Sequence, residues 1–356
     1  MTTHPIPGGQ PFPPSTRAAN VDIGSLDFLS MLWRLIKMEL YKLHHRLYSR
    51  IVLIILLAFM VFTVGLVGIF AHYKASAPLA DFAPLQCSAQ ITTDCTTQPP
   101  TQAQLAHQKE ADMQTDASLL GFPDSLNVVG EILSYNLVAM LGLLLLAPII
   151  GTEYSLGTIR LLFTRGPTRL QCLLGKAFAG LIYTAEVLLL LVLTYSILGM
   201  LIYPLAGEPY SYIFGHFYSA NFGTMFGNAL GLIAVTIVYW YAFVALAIFF
   251  GTLGRSTAAA LGGAFAWFIL EMLIPLITSL LMNTFAAGPV HNLLQALPNY
   301  LFFNNLSTLV HDREAILSGV SASATSDLHA VLVTGVYLVL LIGSSCLVTM
   351  RRDITN

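Results

Sequence analysis

From residue 51 onward the chain alternates long runs that are almost free of polar side chains with shorter polar connections. Six runs are long enough to cross a hydrocarbon core, which takes about 20 residues of helix. They are roughly Ile51 to His72, Val128 to Ile150, Ala177 to Tyr203, Asn228 to Phe250, Thr257 to Met282 and Ala330 to Met350. Each run is near-continuously apolar and lacks the period-two alternation of a barrel strand, so each predicts a helix. The predicted fold class is therefore all-α: a membrane domain of six transmembrane helices over residues 51–350.

The pattern before the first run is different. In "DFLSMLWRLIKMELYKLHHRLYSR", residues 27–50, Phe28, Leu29, Leu32, Leu35, Ile36, Leu40, Leu43 and Leu47 recur at helical spacing, with Arg34, Lys37 and Tyr41 on another side. That spacing predicts an amphipathic helix lying in the membrane interface as an elbow ahead of the first span. Glu39 and Arg46 interrupt its apolar sector. Residues 1–26, rich in Pro and Gly, read as a disordered tail, and 351–356 form a short polar C-terminus after the last run.

Composition supports a membrane protein, since 56% of residues are hydrophobic and only 10% charged, against about 25% charged in soluble chains. The net charge of -2 is uninformative, whereas the placement of Lys and Arg is not. With the N-terminus cytoplasmic, the inner side carries Arg34, Lys37, Lys42, Arg46, Arg50, Arg160, Arg165, Arg169, Lys176, Arg255, Arg351 and Arg352, and the outer side Lys74, Lys109 and Arg313. Twelve against three places both termini, and the two tails, in the cytoplasm. A cleavable signal peptide is not expected, because about fifty residues precede a first run too long for one.

Two outer connections are large. Residues 73–127 contain Cys87 and Cys95, which this topology puts in an oxidising compartment, where a disulfide closing so short a loop contributes about 2.5 kcal/mol. Two thiols without a nearby His supply only half a tetrahedral set, so no metal site is assigned. Cys172 and Cys346 fall near the inner face and read as reduced. Residues 283–329 hold "GPVHNLLQALPNYLFFNNLSTLV", broken by Pro289 and Pro298, and predict short helices dipping into the outer interface.

Three acids fall within apolar runs. Glu186 lies about ten residues, roughly 15 Å, into the third run, Glu271 deeper in the fifth, and Glu131 near the outer end of the second. Ionisable groups at depth are expensive and face protein or water, which makes Glu186 and Glu271 candidate pathway residues against a reading as hydrogen-bonded packing residues. Pro275 and the small residues of "TAAALGGAFA", 257–266, mark the fifth run as a candidate dimer or pathway wall.

The connection at 151–176, "GTEYSLGTIRLLFTRGPTRLQCLLGK", is basic in a chain otherwise poor in charge. Glu153 sits where a short helix would begin, favoured by the helix dipole, and Gly166-Pro167 break that helix, with Pro167 able to open the next. Arg169 and Lys176 flank the start of the third span and can snorkel to phosphates. Glu153, Gly157-Thr158, Leu161-Leu162, Pro167, Thr168-Arg169 and Gly175-Lys176 together resemble the signature of ABC-2 type permeases, the membrane subunits of one class of ATP-binding-cassette exporters. "FTRGP" makes the leucine-to-proline distance longer than in that pattern. The resemblance implies that this segment is a coupling helix seated on a separate ATPase, with Glu153, Gly157, Thr158, Arg160, Pro167 and Arg169 at or near the contact. It also implies a multi-pass protein of the cell membrane exporting a lipid, a hydrophobic peptide or a drug-like molecule, with a second permease, of the same or a different chain, beside it.

This chain carries no P-loop, since "GTLGRST" at 251–257 has neither the spacing nor the Lys to hold phosphates and reads as a tight turn between spans. ATP and magnesium are therefore expected on the partner, with no cofactor in this chain, and no nucleic-acid partner is expected. An intramembrane enzyme is disfavoured, because G-x-S-x-G, H-E-x-x-H and an Asp within a span are all missing. Adjacent His44 and His45 point to different sides of a helix, against shared metal ligation. The remaining alternative is a non-transporting membrane scaffold or sensor.

Overall fold

The computed structural model describes residues 28–82, 101–147, 167–207, 222–284, 288–317 and 327–351, and among them there is no strand. In chain order the helices are α1 (Phe28–His45), α2 (Leu47–Ser76), α3 (Gln102–Ser118), α4 (Ser125–Ser134), α5 (Asn136–Leu146), α6 (Arg169–Ile202), α7 (Phe222–Gly254), α8 (Thr257–Met282), α9 (Pro289–Ala296), α10 (Phe302–Leu317) and α11 (Asp327–Arg351). Five of them, α2, α6, α7, α8 and α11, are long and apolar enough to cross a membrane. The protein is thus an all-helical membrane protein.

Helix α7 forms the centre. Every residue from Ala242 to Ile248 is buried, so this stretch is enclosed on all sides, as an all-round apolar helix should be. Ala260, Ala264 and Phe268 of α8 are buried in the same core. The small residues of "TAAALGGAFA" thus serve, at least in part, a contact within the chain. The turn between α7 and α8 is tight, with Arg255 in the left-handed region (φ 49°) and Ser256 accepting from the Ala259 amide at 3.0 Å to cap α8.

The second apolar run departs from expectation. Instead of one helix it forms α4 and α5, bent by 69° at Tyr135, although Ser134-Tyr135-Asn136 contains neither Pro nor Gly. Such a break frees backbone carbonyls that the bilayer cannot hydrate. Two side chains of α7 satisfy them: Trp240 Nε1 donates to Leu133 O (3.0 Å) and the Tyr239 hydroxyl to Ser134 O (3.2 Å). Gly142 on α5 makes room, since a Cβ there would meet the Trp240 ring at 2.9 Å.

The connection before α11 also goes further than the predicted dip at the interface. Helix α9 packs along α8, a 3-10 turn follows at Leu297–Tyr300, and α10 begins in the core, with Phe302 and Phe303 buried. The Phe303 ring lies 4.7 Å from that of Phe243 and 5.0 Å from that of Phe268. Asn304 and Asn305 close the turn by donating to Pro298 O (2.9 Å) and Asn299 O (2.8 Å). The hairpin therefore enters the bundle and leaves again.

Much of the 73–127 connection is helical as well. Thr101 and Gln104 form a capping box at the start of α3, and α3 is tied to the end of α2 by Lys74–Asp116 (2.7 Å) and by Lys109 donating to Ala77 O (2.7 Å). Cys87 and Cys95, like the tail at 1–26, lie outside the described residues.

Candidate functional site

The predicted coupling segment lies mostly outside the described residues, and Glu153, Gly157, Thr158 and Arg160 with it. Its C-terminal part is the start of α6. Thr168, not Pro167, is the cap: its hydroxyl accepts from Gln171 N at 3.2 Å, and its own amide donates to Gln171 Oε1 at 2.8 Å. Pro167 is buried one residue earlier, outside the helix it was expected to open. Arg169 reaches the far end of the chain, with Nη1 3.5 Å from both Thr349 O and Met350 O at the end of α11. A guanidinium at a helix C-terminus is favourably placed against the dipole.

Lys176 does not snorkel. Its ammonium is buried and sits 2.9 Å from the buried Glu39 carboxylate of α1, which Lys42 also approaches at 3.2 Å. The glutamate that seemed a flaw in the apolar stripe is the partner of this lysine. Around the pair, Leu32 and Ile36 of α1 are buried against Ala179 of α6. Gly175 permits the approach, because a Cβ there would stand 3.1 Å from Leu35 Cβ. The apolar stripe of α1 is thus turned largely onto α6, rather than into the bilayer interface as its amphipathicity predicted.

The same packing relocates Glu186. Helix α6 has 34 residues, about 51 Å by helical rise, some 20 Å more than a hydrocarbon core requires. Its first half runs beside α1, and Glu186 Oε2 stands 3.1 Å from His44 Nε2 near the end of α1, each side chain about half exposed. One turn earlier Tyr183 donates to Ser49 in the first turn of α2 (3.3 Å). Glu186 is therefore level with the polar Arg46-to-Arg50 stretch at the start of α2 and half exposed, rather than enclosed within the bundle. His45 points elsewhere, its Nδ1 3.0 Å from Tyr41 O, as adjacency predicted.

Glu271 is buried as expected and fully engaged. One carboxylate oxygen accepts from Trp267 Nε1, four residues earlier on α8, and the other from the Phe303 amide at 2.7 Å. Phe303 is in the first turn of α10, so the carboxylate caps that helix from a neighbouring element. Glu186 and Glu271 are not brought together. Glu131 is exposed on α4 and belongs to a third cluster, near α10. There the Glu314 hydrogen bond (3.0 Å) holds His311 above the ordinary imidazole range; the charges of Glu314, Glu131 and Asp312 reinforce it and partial burial opposes it.

A narrow, almost wholly apolar cleft lies between α4, α6 and α7, lined by Val129, Leu133, Leu188, Val192, Leu232 and Thr236. The Thr236 hydroxyl is spent on Leu232 O (2.8 Å). Among the described residues Cys172 and Cys346 are in no disulfide, and no group of three or more His, Cys, Asp or Glu suited to a metal occurs. Sequence reasoning missed the roles of Lys176, Glu39 and His44. The available signal was two opposite charges, each within an apolar face.

No curated protein matches the chain. Residues 103–355 match the family described as "Protein of unknown function (DUF2705)", a region that takes in α3 to α11. With well over half of its length matched, the chain belongs to the DUF2705 family.

Proposed function

We propose that the chain is the permease subunit of an ABC-2 type exporter, driven by ATP hydrolysis on a separate ATPase. The observation that carries this reading is the fastening of α1 to the start of α6 by Gly175 and Lys176, the last two positions of the motif that resembles the permease signature. An elbow helix locked to the helix that follows the coupling segment would move with it as one lever. Counting the bent α4–α5 pair as one crossing makes six spans, and a hairpin set into the bundle before the last one fits the same architecture.

In this reading both termini are cytoplasmic and the protein resides in the cell membrane, beside a second permease. Closure of the ATPase dimer around ATP and magnesium pushes on residues 151–176, and α6 and α1 carry the displacement to the spans. The substrate class, a lipid, a hydrophobic peptide or a drug-like molecule, is carried by the resemblance to ABC-2 type permeases.

The test is retention of an ATPase by the chain purified from its native membrane. Glu153→Lys leaves the spans untouched and strengthens the positive-inside bias, so insertion survives. Loss of a charge pair desolvated at the contact costs about 2–5 kcal/mol, so the variant is expected at normal levels in the membrane but without its ATPase. Wild-type chain that retains no ATPase sinks the transporter reading. Normal transport by Glu153→Lys with ATPase bound removes only Glu153 from the contact.

A further inference from the structure

Because the apolar stripe of α1 is taken up largely by α6, the composition of its other face becomes the question. Trp33, Arg34, Lys37, Tyr41 and His45 follow one another at helical spacing and all are exposed, with Tyr48 and Arg50 one turn into α2. The face is an alternation of cations and aromatic rings. Lys37 Nζ sits 5.3 Å from the centre of the Trp33 ring, and His45 stacks on Tyr41 at 4.0 Å.

Among the described residues, the acids nearby are already engaged. Glu39 is held by Lys176 and Lys42, and Glu186 by His44. Among the described residues no carboxylate pairs with Arg34, Lys37, His45 or Arg50, and the Arg50 guanidinium spends only its Nε, on His44 O at 2.9 Å. A concentrated positive surface therefore lies beside the point where the chain enters its first span. Exposed Leu29 (69%) and Leu47 (74%) flank it.

We propose that this face binds anionic phospholipid headgroups. Lys37, His45 and Arg50 meet the phosphates, Trp33, Tyr41 and Tyr48 sit at headgroup depth, and Leu29 and Leu47 reach the acyl boundary. Aromatic and basic residues together at a span end are the side chains that partition to that layer. An acidic protein surface would answer the cations but leave the flanking leucines in water. The inference stands independently of the transport reading.

The experiment adds equimolar phosphatidylglycerol and phosphatidylcholine to the purified full chain in detergent and counts retained lipids by native mass spectrometry. Phosphatidylglycerol is expected in excess. Each cation removed should lower that preference about fivefold, from about 1 kcal/mol per basic residue at an anionic surface. The Lys37→Gln, Arg50→Gln double variant tests the proposed contacts. Arg34→Gln with Lys37→Gln repeats the test without disturbing the Arg50 bond at the α1–α2 joint. Equal retention of the two lipids, or an unchanged preference in both double variants, overturns the proposal. So does preferential binding of polyglutamate, which would mark the face as a dock for an acidic protein.

Discussion

Lys176 and Glu39 would each be destabilising alone, one two turns into a span-length helix and the other on the apolar stripe of α1. Together they close a contact between residues 137 positions apart, which no local pattern reveals. Removing one member of a buried pair costs about 3–5 kcal/mol, whereas replacing both by apolar groups of similar volume is often neutral. Glu39→Ala should therefore lower the thermal midpoint in detergent by several degrees, since it takes a carboxylate 2.9 Å away from the buried Lys176 ammonium. Lys176→Ala should lower it less, because Lys42 remains near Glu39. The Glu39→Leu, Lys176→Met double variant should recover most of the loss. Additive losses in the double variant, read by tryptophan fluorescence, would show that the two residues act separately. His44 with Glu186 is the exposed counterpart: it too joins α1 to α6, but water on both side chains leaves it worth little.

Two elements break the rule of one straight helix per apolar run. The bend at Tyr135 and the buried start of α10 both leave backbone groups in need of partners, and both are answered by side chains from other helices: Trp240 and Tyr239 in the first case, Glu271 in the second. Glu271 is 11 residues from the end of α8, about 17 Å by helical rise, so the hairpin tip is anchored well inside the bundle. A hydrogen bond to a charged group contributes about 1.5–3 kcal/mol. Glu271→Ala should thus speed amide exchange at Phe303 roughly ten- to hundredfold while exchange in α7 stays slow. Unchanged protection at Phe303 would mean that the surrounding aromatic rings, not the carboxylate, hold the hairpin. The sequence showed the buried acid and the broken hairpin, but not that the acid caps the helix that follows the turn.

At the scale of the whole molecule, the start of α6 contacts both α1 and the end of α11, which gathers these three ends at one face of the bundle, while α3 caps the other end of α2. With the positive-inside bias, the first face is cytoplasmic in the proposed orientation. A Ser118→Cys variant lacking Cys87 and Cys95 should then react with an impermeant thiol reagent on intact cells, and a Gly157→Cys variant in the same background should not. Labelling of Gly157→Cys from outside would reverse the topology.

The sequence by itself determined the helical class and the presence of apolar helices of span length, because hydrophobic runs are properties of neighbours along the chain and of their exchange with lipid. It also carried the helix ahead of the first span, the turn at Arg255, and the acid that would be buried at Glu271. Only the tertiary structure decided which apolar faces meet protein, how the first half of α6 packs along α1, and where the freed carbonyls of the bent pair find donors. Those outcomes depend on helix partners far apart in the chain. A charge in an apolar stripe looks the same in sequence whether it snorkels or pairs, and the distance to its partner in space makes the difference.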